Sequence, residues 1–154
     1  VMDLKGIGKA FLFVLASNLV GFLSGFFASG TRSFYQELTL PFFAPPAEVF
    51  PVVWTILYTL LGLSAYFALE NDVSSLGRDL FFVQLLLNGL YSIIFFSFKM
   101  VGLALFEVFF LNLVVLVMFI EFYEAEERAG YLLIPYILWI LFAFILNLVI
   151  FILN

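Results

Sequence analysis

Residues 38–66 read LTLPFFAPPAEVFPVVWTILYTLLGLSAY. The first half carries Pro41, Pro45 and Pro46. Proline fixes φ and has no N–H to donate, so this half is neither regular helix nor central strand. Pro51 differs, because a proline in the first helical turn loses no hydrogen bond. An unbroken apolar run comes after it, which predicts a helix starting at about Pro51 with Trp54, Thr55 and Tyr58 just inside. One stretch thus supplies a proline-broken lid and the top of an apolar wall.

That run is one of several. The chain has 154 residues, 66% hydrophobic and only 11% charged, and a soluble domain of this size has too little interior to hide so much apolar surface. A hydrocarbon core of about 30 Å takes about 20 apolar residues per helical span. Runs of that length fall at about 7–28, 51–69, 80–98, 103–122 and 131–153, joined by short links and one long loop, 30–50. Strands of a membrane β-barrel would instead alternate over about ten residues. The expected fold is an all-α integral membrane protein. Its expected organisation is one five-helix domain over residues 1–154. The first run resembles a signal peptide in ending FFASG, but its spanning length predicts a retained helix.

A net charge of −5 without a basic run excludes nucleic acid and polybasic lipid-headgroup sites as partners. With no cysteine, thiolate catalysis, disulfides and thiolate metal sites are excluded, and with no histidine either a bound haem would have Tyr, Met or no protein axial ligand. No cofactor is required by anything in the sequence. Lys5, Lys9, Arg78 and Arg128 fall on one side of the expected topology and Arg32 and Lys99 on the other. The positive-inside rule then puts the N-terminus in the cytoplasm. No leader of the transit-peptide kind is read, so a prokaryotic cell membrane is the expected location.

Several polar or small residues recur at helical spacing inside these runs. Ser17, Gly21, Gly25 and Ser29 form a small-residue stripe that admits a close helix neighbour. Packing inside the monomer is favoured for it, with a homodimer face as the alternative. Trp54, Tyr58, Gly62 and Tyr66 share one face of the second run, and Gln84, Asn88 and Tyr91 or Ser92 one side of the third. Pro135, Trp139, Ala143 and Asn147 share a face of the fifth, where Ala143 leaves room between larger neighbours. Buried amides are expensive without partners, so they must face protein, water or ligand. Two readings stay open: these faces enclose an apolar cavity with sparse polar groups, or they only hold the bundle together. The aromatic residues of the long loop, among them Tyr35 and Phe50, read equally as an interfacial anchor or as a cap. Glu107, about one turn into the fourth run, is a candidate for a proton or ligand role as a carboxylate below the interface, yet it is shallow enough to reach the surface or cap a neighbour. The acidic cluster around Glu121, Glu124, Glu126 and Glu127 reads as a solvated loop.

The segments FYQELTLPFFAPP, VVWTILYTLLGLSAY, QLLLN, YSIIFF, GLALFE and LLIPYILWILFAFILN occur here in the order and spacing of the translocator-protein family, which the chain resembles. These proteins are also called tryptophan-rich sensory proteins or peripheral-type benzodiazepine receptors. The resemblance covers Phe34 to Asn147, and it is specific in the proline lid followed by WTxLY and in PYxxWxxFAxxLN. It implies a five-helix bundle with a ligand cavity near one end, between the second, third and fifth helices and closed by the first loop. It also implies binding of porphyrins and haem-type tetrapyrroles, isoquinoline carboxamides and benzodiazepines, and in animals cholesterol. Carried over by position, the cavity residues would be Tyr35, Pro45, Phe50, Trp54, Tyr58, Asn88, Tyr91, Trp139 and Ala143, with Asn147 adding a polar edge. The sequence departs from the family in having only two tryptophans, with Phe43 at a usual Trp position and Leu40 where a polar residue precedes the first lid proline. It also lacks the Tyr and Lys/Arg of a sterol motif after the fifth helix.

The resemblance implies three functions. The first is a membrane transport or sensory protein for tetrapyrroles, stacking the macrocycle on Trp54 and Trp139 while Tyr35, Asn88 and Asn147 bond its polar edge. The second is light-dependent porphyrin breakdown with Trp54 and Trp139 as electron donors, the only enzymatic reading the residues support. The third is a sterol- or lipid-binding scaffold.

Overall fold

The computed structural model describes residues 3–28 and 31–154. They form an all-helical bundle of α1 Leu4–Phe27, α2 Thr31–Glu37, α3 Val49–Glu70, α4 Ser75–Ser92 with a π-helical turn Ile93–Ser97, α5 Val101–Ala125 and α6 Glu127–Leu153. Five of these, with the π turn counted as part of α4, are long and apolar enough to cross a membrane. Spanning segments must satisfy every backbone polar group internally, which is why they are unbroken helices. The neighbours run α1–α3–α6–α5–α4 and back to α1, a closed ring.

Most helices start earlier than their apolar runs, because an apolar count finds the lipid-facing part and misses the polar cap. Asp3 accepts from the Gly6 N–H at 2.7 Å to begin α1, and Ser74 accepts from the Gly77 N–H at 2.9 Å to begin α4. The expected polar turn at Asn71 to Ser75 therefore already contains the cap and the first residue of α4. Ser74 also donates to Glu121 across the α4–α5 seam, taking that carboxylate out of the expected free loop. α3 starts at Val49 instead of Pro51. Pro51 still breaks nothing, because the first four N–H groups of a helix have no partner inside it. Arg128 pairs with Glu126 at 2.7 Å where α5 gives way to α6, and this hydrogen bond holds the Glu126 carboxyl below its ordinary range.

The lid differs most from its expected form. Residues Thr31 to Glu37 are helical, and the proline-broken part is confined to residues 38–48. Its aromatics divide residue by residue: Phe42 is fully exposed, whereas Phe43 packs on Phe142 at 6.2 Å between ring centroids and Phe50 on Trp139 at 6.1 Å. The far end is pinned as well. Asn154 accepts from the Thr39 N–H at 2.9 Å and donates to its carbonyl at 3.0 Å, tying the lid to the last residue of the chain.

The small-residue stripe of α1 divides along its length. Ser17 is fully buried and Gly21 sits against the Tyr58 ring, while Gly25 has nothing within 4 Å of where a Cβ would lie. Ser29 lies outside the described residues. The closest approach of α1 and α3 is made from the other helix: a Cβ on Gly62 would meet Val14 Cα at 2.6 Å.

Glu107 does not reach the surface or cap a neighbour. It is 8% exposed, and neither carboxylate oxygen has a hydrogen-bond partner. Its helix packs against α4 and α6, and Glu107 is among the buried residues of α5. An unpartnered carboxyl in a bundle interior is a liability that an apolar residue of similar size removes. Glu107→Leu is accordingly expected to raise stability by about 1–2 kcal/mol, seen as a higher unfolding temperature in detergent.

Candidate functional site

Beneath the lid the helices part around a cavity of about 600 Å³. Volumes of about 300–1,000 Å³ suit a drug-sized ligand. α3 positions Trp54 and Tyr58 on one wall because they stand four residues apart on one face. α6 does the same for Trp139, Ala143 and Asn147, and α4 for Asn88 and Tyr91. α2 adds Tyr35, and the first turn of α3 adds Phe50. These nine sequence-derived residues are therefore brought together. Pro45 is not in the lining; it stands behind the wall, where its carbonyl accepts the Tyr35 hydroxyl at 2.9 Å. Burial pushes the Tyr35 phenol above its ordinary range, which keeps it a neutral donor.

The lower half of the α3 face leaves the site. Gly62 is committed to α1 and Tyr66 to Gly6, so the four-step pattern of Trp54, Tyr58, Gly62 and Tyr66 serves the cavity only in its first two members. Conversely, α1 forms a whole wall that the sequence reading did not assign to the cavity. Asn18, Gly21, Ser24 and Gly25 line it. For Gly21 and Gly25 the signal in the sequence is the small-residue stripe, which reads as a packing or dimer face; Asn18 and Ser24 lie outside that stripe.

Polar groups of the wall are mostly spoken for. Asn88 donates to the Tyr136 hydroxyl at 2.8 Å, and that hydroxyl donates to Gln84 Oε1 at 2.7 Å. Asn147 donates to the Val101 carbonyl at 3.1 Å and receives the Tyr91 hydroxyl at 3.5 Å. The expected ligand donors Tyr35, Asn88 and Asn147 thus have hydrogens engaged within the protein, since an amide left unpaired in hydrocarbon is costly. The Trp139 indole N–H is different, being buried without a partner in the wall of the cavity. Tyr136, outside the expected site, holds the α4–α6 network together. Tyr136→Phe leaves Gln84 and Asn88 short of a partner and is expected to cost about 1–2 kcal/mol in thermal or denaturant unfolding.

The indoles also correct the expected stacking. Trp54 and Trp139 lie 6.4 Å apart between centroids at an interplanar angle of 90°. A flat ligand cannot lie face-on to both; it stacks on one and meets the edge of the other. Among the described residues no group of His, Cys, Asp or Glu could hold a metal ion.

Comparison with known proteins agrees with this architecture. The sequence matches the TspO/MBR family over residues 13–153. It is 38% identical over 144 residues to the tryptophan-rich protein TspO of Archaeoglobus fulgidus, covering 92% of this chain and 94% of that protein. It is 33% identical over 105 residues to the tryptophan-rich sensory protein of Cereibacter sphaeroides, covering 68% and 66%. With the human translocator protein the identity is 31% over 143 residues, covering 88% and 83%. With that match running from the second half of α1 to the end of α6, and five spanning helices to carry it, this integral multi-pass membrane protein belongs to the TspO/MBR family.

Proposed function

We propose that the protein binds a planar, largely apolar ligand of the tetrapyrrole class beneath the lid, and works as a membrane carrier or sensor for it. The observation that carries this reading is the cavity wall itself: Trp54, Tyr58, Phe50 and Trp139 surround a volume of about 600 Å³, and one of them keeps an unpartnered N–H in its wall. Apolar walls with few, placed polar groups are what a large flat ligand needs. The polar lining has tyrosines and amides but no histidine, cysteine or methionine, and the Tyr35 and Tyr91 hydroxyls already bond Pro45 and Asn147. Metal-free porphyrin is therefore the preferred form over axially ligated haem. Equilibrium titration with protoporphyrin IX in the dark, followed by pigment absorbance, tests this. Saturable binding of one porphyrin per chain, with haem bound more weakly and without an axial-ligand spectrum, is the expected result. Absence of saturable binding would turn the reading toward a lipid or partner protein.

A second reading is favoured by one observation, the contact of the chain's two indoles at the cavity wall. Beside a photoexcited porphyrin, Trp54 and Trp139 would act as electron donors, with dioxygen as the oxidant that breaks the macrocycle. Light-dependent product formation that disappears in Trp54→Phe and Trp139→Phe while dark binding persists would identify this activity.

A further inference from the structure

The cavity has seams on every side, and their closures differ. Over the top, the lid is held by the Thr39–Asn154 pair and by Phe43 on Phe142. The α4–α6 seam is closed by Asn88 on Tyr136 and Asn147 with Tyr91, and the α3–α6 seam by Trp54 on Trp139 and, lower down, by Ser64 donating to the Ala129 carbonyl. The α1–α4 seam is closed by Ser24 donating to the Gly89 carbonyl at 2.8 Å and Ser97 to the Phe27 carbonyl at 2.8 Å.

The α1–α3 seam is closed only in its lower half. There the rungs of the antiparallel pair are Lys9 with Glu70 at 2.8 Å, Gly62 against Val14, Asn18 donating to Thr59 at 3.1 Å, and Gly21 against Tyr58. The next rung upward would set Gly25 against Thr55 and Pro51, since Thr55 and Pro51 continue the Thr59 stripe at four-residue steps. It is missing. A Cβ built on Gly25 meets nothing within 4 Å. Phe22 and Phe26 lie on the same flank of α1 and line the cavity, yet they are 70% and 69% exposed. Pro51 and Thr55, opposite them, also line the cavity and are exposed. Above Gly21, α1 is held to α4 and the π turn through Ser24 and Phe27.

We propose that this gap is a lateral portal, through which the cavity exchanges its ligand with the hydrocarbon of the lid-side leaflet rather than with water above the lid. Its rim consists of Phe22, Gly25 and Phe26 on α1 and Pro51 and Thr55 on α3. The chemistry suits a solute already dissolved in the bilayer. The rim residues are apolar apart from Thr55, whose hydroxyl donates to the Pro51 carbonyl at 2.8 Å and so presents no free donor. Both ends of α1 and α3 that form it lie beside the lid, at the depth where an amphiphilic planar molecule with polar substituents rests. The identity of the solute rests on the tetrapyrrole reading above, but the portal does not.

The test separates the two. In bilayers of phosphatidylcholine brominated on its acyl chains, bromines that reach the cavity quench Trp54 and Trp139, the only indoles in the chain. Gly25→Phe, and from the facing side Thr55→Phe, plug the rim at exposed positions with room for the ring. Both are expected to keep the native unfolding temperature and to lose quenching toward the level of an unbrominated bilayer. Both should also slow protoporphyrin IX dissociation as well as association by about fivefold or more, which a mere loss of cavity space would not do, whereas Asn154→Ala, which frees the lid, leaves association unchanged. Quenching that is the same in wild type and both plugged variants overturns the portal. Quenching relieved by the plugs in a protein that does not bind porphyrin leaves the portal standing and removes the tetrapyrrole reading instead.

Discussion

Gly62→Leu destabilises the protein by about 3 kcal/mol or more, the upper range for forcing a side chain into a packed interior. The reason is what the new atoms meet. A Cβ at residue 62 falls 2.6 Å from Val14 Cα and 2.7 Å from both the Phe13 carbonyl oxygen and the Val14 nitrogen, all of them main chain. Side chains can rotate away from an intruder, but a helix backbone can only move as a body. α1 would have to be pushed off α3, and the Asn18–Thr59 hydrogen bond one turn away would open with it. Gly62→Ala should show the same effect in reduced form. Gly25→Ala is the matched control on the other side of the pair: with no atom within 4 Å of the new methyl group, it should leave stability unchanged or raise it slightly through lower chain entropy in the unfolded state. Thermal unfolding of the three variants in one detergent checks the ordering. Equal effects at 25 and 62 would mean that the two glycines do the same work.

Ala143→Phe reduces affinity for protoporphyrin IX by about a hundredfold, or about 2.8 kcal/mol, with little change in fold. Ala143 stands between Trp139 and Asn147 on α6 and lines the cavity. A phenyl ring there projects into space a ligand needs, because the half-buried Ala143 borders the cavity. Stability and binding should therefore separate: the unfolding temperature of the free protein stays near that of wild type while the titration curve shifts. A variant that lost both together would place Ala143 in the packing of the bundle and not in the wall of a binding site.

The same physics explains both what the sequence disclosed and what it hid. Membrane spans announce themselves because hydrocarbon demands about 20 apolar residues without interruption, so the five helices and the proline-broken lid were legible from composition. Helix starts were less so, since Asp3 and Ser74 lie in polar turns where a cap looks like a loop. The faces carrying Trp54 and Tyr58, Asn88 and Tyr91, and Trp139 and Ala143 were legible as four-residue repeats or near to it. Periodicity says which residues share a face but not where along the helix that face changes partner. Gly62 and Tyr66 therefore separate from Trp54 and Tyr58 only in the fold, where α1 closes on the lower half. For the same reason the small-residue stripe of α1 was ambiguous: Ser17 and Gly21 use their smallness for contact, whereas Gly25 uses it to leave a gap. The engaged state of Asn88 and Asn147 depends on Tyr136 and on the Val101 carbonyl, which are 48 and 46 residues away in the chain. No local pattern encodes such pairs. The burial of Glu107 was hidden too, because depth along a helix does not say whether neighbouring helices cover the side chain.

The placement of a porphyrin against the two indoles is open to one direct measurement. Since Trp54 and Trp139 are the only tryptophans and both line the cavity, each of the variants Trp54→Phe and Trp139→Phe has an emission that comes from a single indole in the wall. Titrated in the dark with protoporphyrin IX, both should be quenched in a saturable way, with the midpoint of quenching coinciding with binding followed through pigment absorbance. Binding seen by absorbance while either remaining indole keeps its full emission would show that the pigment sits elsewhere on the protein.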